Sequence, residues 1–124
     1  MIVHVDTPAL VDALTGPRRS LDTLMTLTRD GHRLALSTIA LYEWLRGPRA
    51  RPELAAQEDL FPSEHAVAFG HAEAAVAARL YKGLSRARGR EIDLAVAACA
   101  MANGAALWTL NPADFRDIPG LRLL

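Results

Sequence analysis

Apolar positions recur along the chain with two different periods. Short β-branched or aliphatic runs at Ile2–Val5, Leu34–Leu36, Ala66–Phe69, Leu107–Leu110 and Leu121–Leu124 predict five brief strands. Between them the spacing is helical. Ala9–Leu14 predicts a short helix broken by Gly16 and Pro17, and Leu21, Leu24, Met25 and Leu27 predict a second that ends at Asp30-Gly31. Ser37 or Thr38 can cap a third over Ile39–Arg46, which ends at Gly47-Pro48. Pro52 opens a helix through Leu60, Ala72–Arg86 is Ala-rich and helical, and Asn111–Phe115 is a turn or short helix. Ile92–Ala102 is apolar on every side, which predicts a helix enclosed by the fold. Strands alternating with helices predict an α/β fold: a central parallel sheet of about five strands with helices on both faces.

No internal repeat or low-complexity linker divides the chain, so residues 1–124 are expected to form one domain. A chain of 124 residues buries roughly two-thirds of its unfolded surface and needs no covalent staple. Cys99 is the only cysteine and sits among alanines, where it is expected to be an inert small hydrophobe in a reducing cytoplasm. No apolar run approaches the roughly 18 residues of a membrane span, and Met1–Val5 meets Asp6 without a basic flank, unlike a signal peptide.

Charge adds a further restriction. Fourteen basic and fourteen acidic side chains cancel to a net charge of +0, which excludes a polyelectrolyte binder but permits local basic patches. Two such stretches stand out: Arg46, Arg49 and Arg51, and Arg79, Lys82, Arg86, Arg88 and Arg90. Each is either a solvated face or a grip for phosphate, to which arginine is suited by its planar fork. Aromatic residues make up only 6% of the chain, too few for a stacking platform along single-stranded nucleic acid.

The informative residues are carboxylates where the pattern asks for apolar side chains. Asp6 falls at the carboxyl end of the first strand, where open α/β sheets bind ligands, and could alternatively cap the next helix. Glu43 lies among Ile39, Leu41, Tyr42, Trp44 and Leu45 and is expected to be partly enclosed. Asp93 opens the most apolar helix, which implies a cap, a cation or a metal nearby. Asp114 follows the fourth strand after the Asn111-Pro112 turn signal. In a parallel sheet the strand ends converge, so these acids would crowd one crevice, a situation that a hard cation with oxygen ligands relieves. His4, His32, His65 and His71 lack the spacing of a zinc site, and His4, alternating along the first strand, reads as structural. No nucleophile elbow or phosphate-binding glycine loop is present. A phosphotransfer receiver would need paired acids after the first strand and a placed lysine, and a haloacid-dehalogenase-like phosphatase would need Asp-x-Asp; Asp6-Thr-Pro and the single Lys82 satisfy neither.

Four segments carry a resemblance. IVHVDTPALVDAL resembles the opening motif of PIN domains, and LSTIALYEWLRG resembles the second, with its Glu. GREIDLAVAACAMANGAALWTLNPADF resembles the third and fourth motifs, and IPGLRLL the last strand. Together they cover nearly the whole chain in order, and length and sequence look like the VapC toxins of type II toxin–antitoxin systems. The resemblance implies a PIN-fold endoribonuclease that uses Mg²⁺ or Mn²⁺ held by Asp6, Glu43, Asp93 and Asp114, with Asn111 a rival of Asp114 for the fourth position. Thr7 and Thr109 would match polar positions that orient ligands, and Arg46, Arg86 and Arg88 would contact RNA. It further implies a cognate VapB-type antitoxin, a homodimer, and no membrane. The helix carrying Leu21, Leu24 and Met25 could supply a partner surface or simply pack into the core. Two other readings stand beside this one: an RNA-processing PIN nuclease outside a toxin system, and a PIN fold kept as a non-catalytic binding partner.

Overall fold

A computed structural model describes residues 1–124. Three strands form the sheet: β1 (Ile2–Val5), β2 (Arg33–Ala35) and β3 (Ala106–Trp108), parallel and in the order β2-β1-β3. Six helices surround it: α1 (Thr7–Leu14), α2 (Leu21–Arg29), α3 (Thr38–Arg46), α4 (Arg51–Leu60), α5 (His71–Gly83) and α6 (Glu91–Ala102). Short 3₁₀ turns lie at Ser63–His65 and Pro112–Asp114.

The α/β class and the parallel sheet are as the pattern predicts; the count of five strands is not. The two outer strands shrink to single bridges, Val67 beside Ser37 and Leu123 beside Leu107. On one edge the cause is local. Ser37 caps α3 through a 3.0 Å bond from the Ala40 N–H, so the chain leaves the sheet one residue after Leu36. Val67 then has room only to donate to the Leu36 carbonyl and to accept from the Thr38 N–H, each at 2.8 Å. On the other edge Leu107 donates to the Arg122 carbonyl and accepts from the Leu124 N–H, and the pairing ends there.

Burial follows the two-residue alternation of the strands. Val3, Val5 and Trp108 join α1, Leu24 of α2 and Trp44 of α3 in one core cluster, while Leu107 joins Leu80 of α5, α6, Phe115 and Ile118 in another. The sheet thus has helices on both faces. In α6 every residue from Leu94 to Ala100 is buried, as its uniform hydrophobicity predicts. On α2, Leu24 is buried and Leu21 packs against the core, leaving Met25 exposed. Cys99 is a buried free thiol whose pKa burial pushes up to about 11, consistent with an inert side chain. His4 lies in register with Leu107, fully buried, and neither ring nitrogen has a hydrogen-bond partner.

Candidate active site

The first strand delivers Asp6. Its N–H donates to the Trp108 carbonyl (3.0 Å), extending the β1–β3 ladder by one residue, and its extended backbone makes it the N-cap of α1. That cap is why α1 starts at Thr7 and not at Ala9. The carboxylate is 4% exposed and fully engaged: Oδ1 accepts from the Thr7 N–H and Oδ2 from the Thr109 hydroxyl, both at 2.9 Å. The Thr109 oxygen in turn accepts from the Asn111 N–H at 3.0 Å, which bends the chain away and ends β3 at Trp108, short of the predicted Leu110. Asp6 is therefore both a cap and the terminus of a threonine-ordered network.

Thr7 turns the other way. Its hydroxyl donates to Glu43 Oε1 at 2.8 Å, joining α1 to α3, while Glu43 Oε2 accepts from Arg46 Nη2 at 3.3 Å. The Glu43 side chain is 19% exposed, the partial enclosure expected from its apolar flanks. Asp93, half-buried in the first turn of α6, completes the arrangement.

The acids sense one another. Burial, reinforced by Asp93 and Glu43, pushes the Asp6 carboxyl up from its ordinary 3.8 to about 6, against the bonds from Thr109 and Thr7 that favour its charge. Asp93 is raised too, by burial and then by Asp114 and Glu43, with Arg90 opposing. Asp93 is thus the carboxylate in electrostatic reach of all three others. Asp114 is exposed and faces Asp93 from the turn after β3, whereas Asn111 contributes its main chain to Thr109. No basic side chain pairs with Asp6, Asp93 or Asp114. All-oxygen donors carrying unpaired, mutually repelling charge suit a hard divalent cation. The carboxylates lie within electrostatic reach of one another without closing on one point: no three acidic, His or Cys groups are drawn into a ready ligand shell.

Beside the acids runs an open groove of about 500 Å³ lined by Thr7, Val11, Asp12, Arg19, Glu43 and Leu110. Arg19 is not among the sequence candidates, because nothing local to Pro17-Arg18-Arg19 marks it as sharing a groove with Glu43. Arg46 is 56% exposed beside Glu43, and Arg86 and Arg88 lie in the connection between α5 and α6, both exposed. That connection is not helical: α5 stops at Gly83, not at Arg86. A second cavity, about 410 Å³ and mostly apolar, lies along the β2 edge near Leu34, Phe61 and Val67 and contains none of the four acids.

The PIN-domain family model matches residues 3–121. None of the proteins of curated function matches the sequence. Among solved structures, VapBC2 from Rickettsia felis bound to a DNA fragment from its promoter is similar at 24% identity and TM-score 0.77, over 100% of this chain and 98% of the other. DNA-bound VapBC from Salmonella typhimurium is similar at 21% identity and TM-score 0.81, over 100% and 97%. FitAcB from Neisseria gonorrhoeae is similar at 20% identity and TM-score 0.70, again over 100% and 97%. At these identities the likeness is one of fold.

Proposed function

The chain belongs to the PIN-domain family, and from that premise we propose that it is a metal-dependent endoribonuclease acting as the toxin of a type II toxin–antitoxin pair. The observation that carries the reading is Asp6: a buried carboxylate at the carboxyl end of the central strand, ordered by Thr7 and Thr109 and facing Asp93 and Glu43 with no basic partner of its own. Asp6, Glu43 and Asp93 would hold Mg²⁺ or Mn²⁺, with Asp114 the fourth carboxylate in reach of Asp93. A bound cation of this kind supplies a more acidic water and neutralises charge on a phosphodiester. The chain's own part is orientation. Thr109 fixes one oxygen of Asp6, Thr7 fixes one oxygen of Glu43, and α6 presents Asp93 from its first turn. No helix is long and apolar enough to cross a membrane.

The similar structures contain VapBC and FitAcB complexes, which supports a VapB-type antitoxin as the partner here. In this reading residues 1–124 work as one unit, which dimerises and acts in the cytoplasm.

Incubation with single-stranded RNA and Mn²⁺ or Mg²⁺, followed by end-group analysis, tests the chemistry. Attack of water on phosphorus with departure of the 3′ oxygen leaves a 5′-phosphate and a 3′-hydroxyl, and those ends are expected. Products ending in a 2′,3′-cyclic phosphate would overturn the mechanism, because the RNA's own hydroxyl would then be the nucleophile.

Substrate grip falls to the exposed arginines. Replacing Arg86 and Arg88 together by Ala is expected to flatten the dependence of log K on log salt, by about 0.7 for each phosphate that these side chains neutralise. Filter binding to a catalytically silenced Asp93→Asn background, over a range of salt concentrations, measures the slope. An unchanged slope would return these two residues to the role of a solvated loop.

A further inference from the structure

The basic stretch between α5 and α6 contains one arginine that does something else. Arg90 is the N-cap of α6, three residues before Asp93, and both Nη groups of its guanidinium are taken by protein acceptors. Nη1 donates to the Arg86 carbonyl at 2.9 Å and to Asp117 Oδ2 at 2.7 Å. Nη2 donates to the Asp114 carbonyl and to Asp117 Oδ1, both at 2.7 Å. These four bonds occupy all four Nη hydrogens. The side chain is 21% exposed, against 50% for Asp117, so the fork is the inner member of the pair.

The consequence is geometric. Asp93 sits on α6, and Asp114 sits in the turn that follows β3, 21 positions later in the chain. No hydrogen bond joins the two carboxylates. Arg90 is the side chain that binds the start of α6 to the backbone of Asp114 itself and to Asp117 just beyond it. Its ion pair is with Asp117; its charge favours the Asp93 carboxylate from a distance without pairing with it, and no Nη donor is left free for a phosphate.

We propose that Arg90 is a positioning residue: with Asp117 it sets the separation of Asp93 and Asp114, and thereby the cation affinity of the site, without contacting RNA. This deepens the nuclease reading and rests on it. Outer-shell partners of this kind change metal affinity by about 10- to 100-fold when removed. A lysine cannot replace the fork, because one ammonium cannot serve Asp117 bidentately together with the Arg86 and Asp114 carbonyls.

The test is Mn²⁺ binding to the purified full chain, followed by calorimetry and by the Mn²⁺-dependent rise in unfolding temperature, for wild type, Arg90→Lys, Arg90→Met and Asp117→Asn. All three variants are expected to bind Mn²⁺ about tenfold or more weakly, with Lys no better than Met. The Arg90→Met/Asp117→Asn double variant is expected to be no worse than Arg90→Met alone. In RNA cleavage, the loss is expected in kcat at limiting Mn²⁺ and is expected to be recovered at saturating Mn²⁺, with KM for RNA unchanged throughout. Asp117 is half-exposed, so Asp117→Asn keeps the test open should an Arg90 variant fail to fold. Wild-type affinity in the variants, or recovery by Lys with the loss confined to KM, would overturn the proposal in favour of a charge that grips RNA. A wild type that binds no Mn²⁺ and cleaves no RNA removes the nuclease reading, and the proposal falls with it.

Discussion

Asp6→Asn is expected to make the metal-free protein more stable at pH 7 while abolishing cleavage. A carboxyl that ionises near 6 in the fold and near 3.8 unfolded costs the native state about 3 kcal/mol once both forms are charged. Asparagine removes that cost, of which the repulsion from Asp93 and Glu43 is a part. It keeps one oxygen to accept from the Thr7 N–H or the Thr109 hydroxyl, but not both with full strength. The net gain should be roughly 1–2 kcal/mol, or about 4–8 °C in unfolding temperature. Wild type, in turn, should gain about 2.7 kcal/mol from Mn²⁺ at 100 times its dissociation constant, a shift the variant should lack. Cleavage should fall by at least about 100-fold, the scale of losing one preorganised electrostatic group. A variant that is less stable than wild type and still responds to Mn²⁺ would reduce Asp6 to a helix cap.

The same residue sets a pH dependence. Its native pKa is raised, so the folded state holds the proton more tightly, and stability falls as pH rises through the window from about 4 to 6. His4 acts in the opposite sense. Burial lowers its pKa, so protonation at low pH favours the unfolded chain, and stability is lost as pH falls below 6.5. Raw denaturation curves will mix the two. The difference between wild type and Asp6→Asn, measured by urea unfolding at about pH 4.5, 5.5 and 7, cancels His4 and should grow with pH. A difference that is flat across this range would mean that Asp6 is solvated in the native state.

Which features are legible in the sequence follows from how local their causes are. Asp6 is visible because a β-branched run breaks on a carboxylate, and Glu43 and Asp93 because charges interrupt apolar helices. The enclosed nature of α6 needs only its composition. The outer strands are overcounted because Ala66–Phe69 and Leu121–Leu124 have strand-like residues, but the number of residues that pair depends on where the neighbour leaves the sheet. Ser37 decides that on one edge, by capping α3. By sequence Arg90 groups with Arg86 and Arg88, because its partner Asp117 is 27 positions away and no spacing rule links them. The two threonines are legible only through the family resemblance; their hydroxyl bonds cross between elements 36 and 103 positions apart.

Trp44→Ala should be among the most destabilising single changes, at about 3–5 kcal/mol. The indole is completely buried in the cluster that joins β1, α1 and α3, one residue after Glu43. Arg49 closes over it: the guanidinium lies 4.2 Å from the ring centroid, and its Nε donates to the Trp44 carbonyl at 3.0 Å. Gly47 leaves the room for this, since a Cβ there would stand 2.8 Å from the Arg49 guanidinium. Truncation to alanine would remove the ring from the core and the stacking surface from Arg49 together. Phenylalanine should cost less, about 1–2 kcal/mol, because it keeps a six-membered ring in the core and leaves a smaller cavity. It also removes an indole N–H that has no partner in the core. Urea unfolding of both variants measures the contrast. If Phe cost as much as Ala, the indole nitrogen would have to be bonded in the native state and the packing account would fail. Because α3 carries Glu43 toward Thr7, the cavity should also loosen the 2.8 Å bond between them. Trp44→Ala is therefore expected to weaken Mn²⁺ binding in the fraction that remains folded, whereas Trp44→Phe should leave it near wild type.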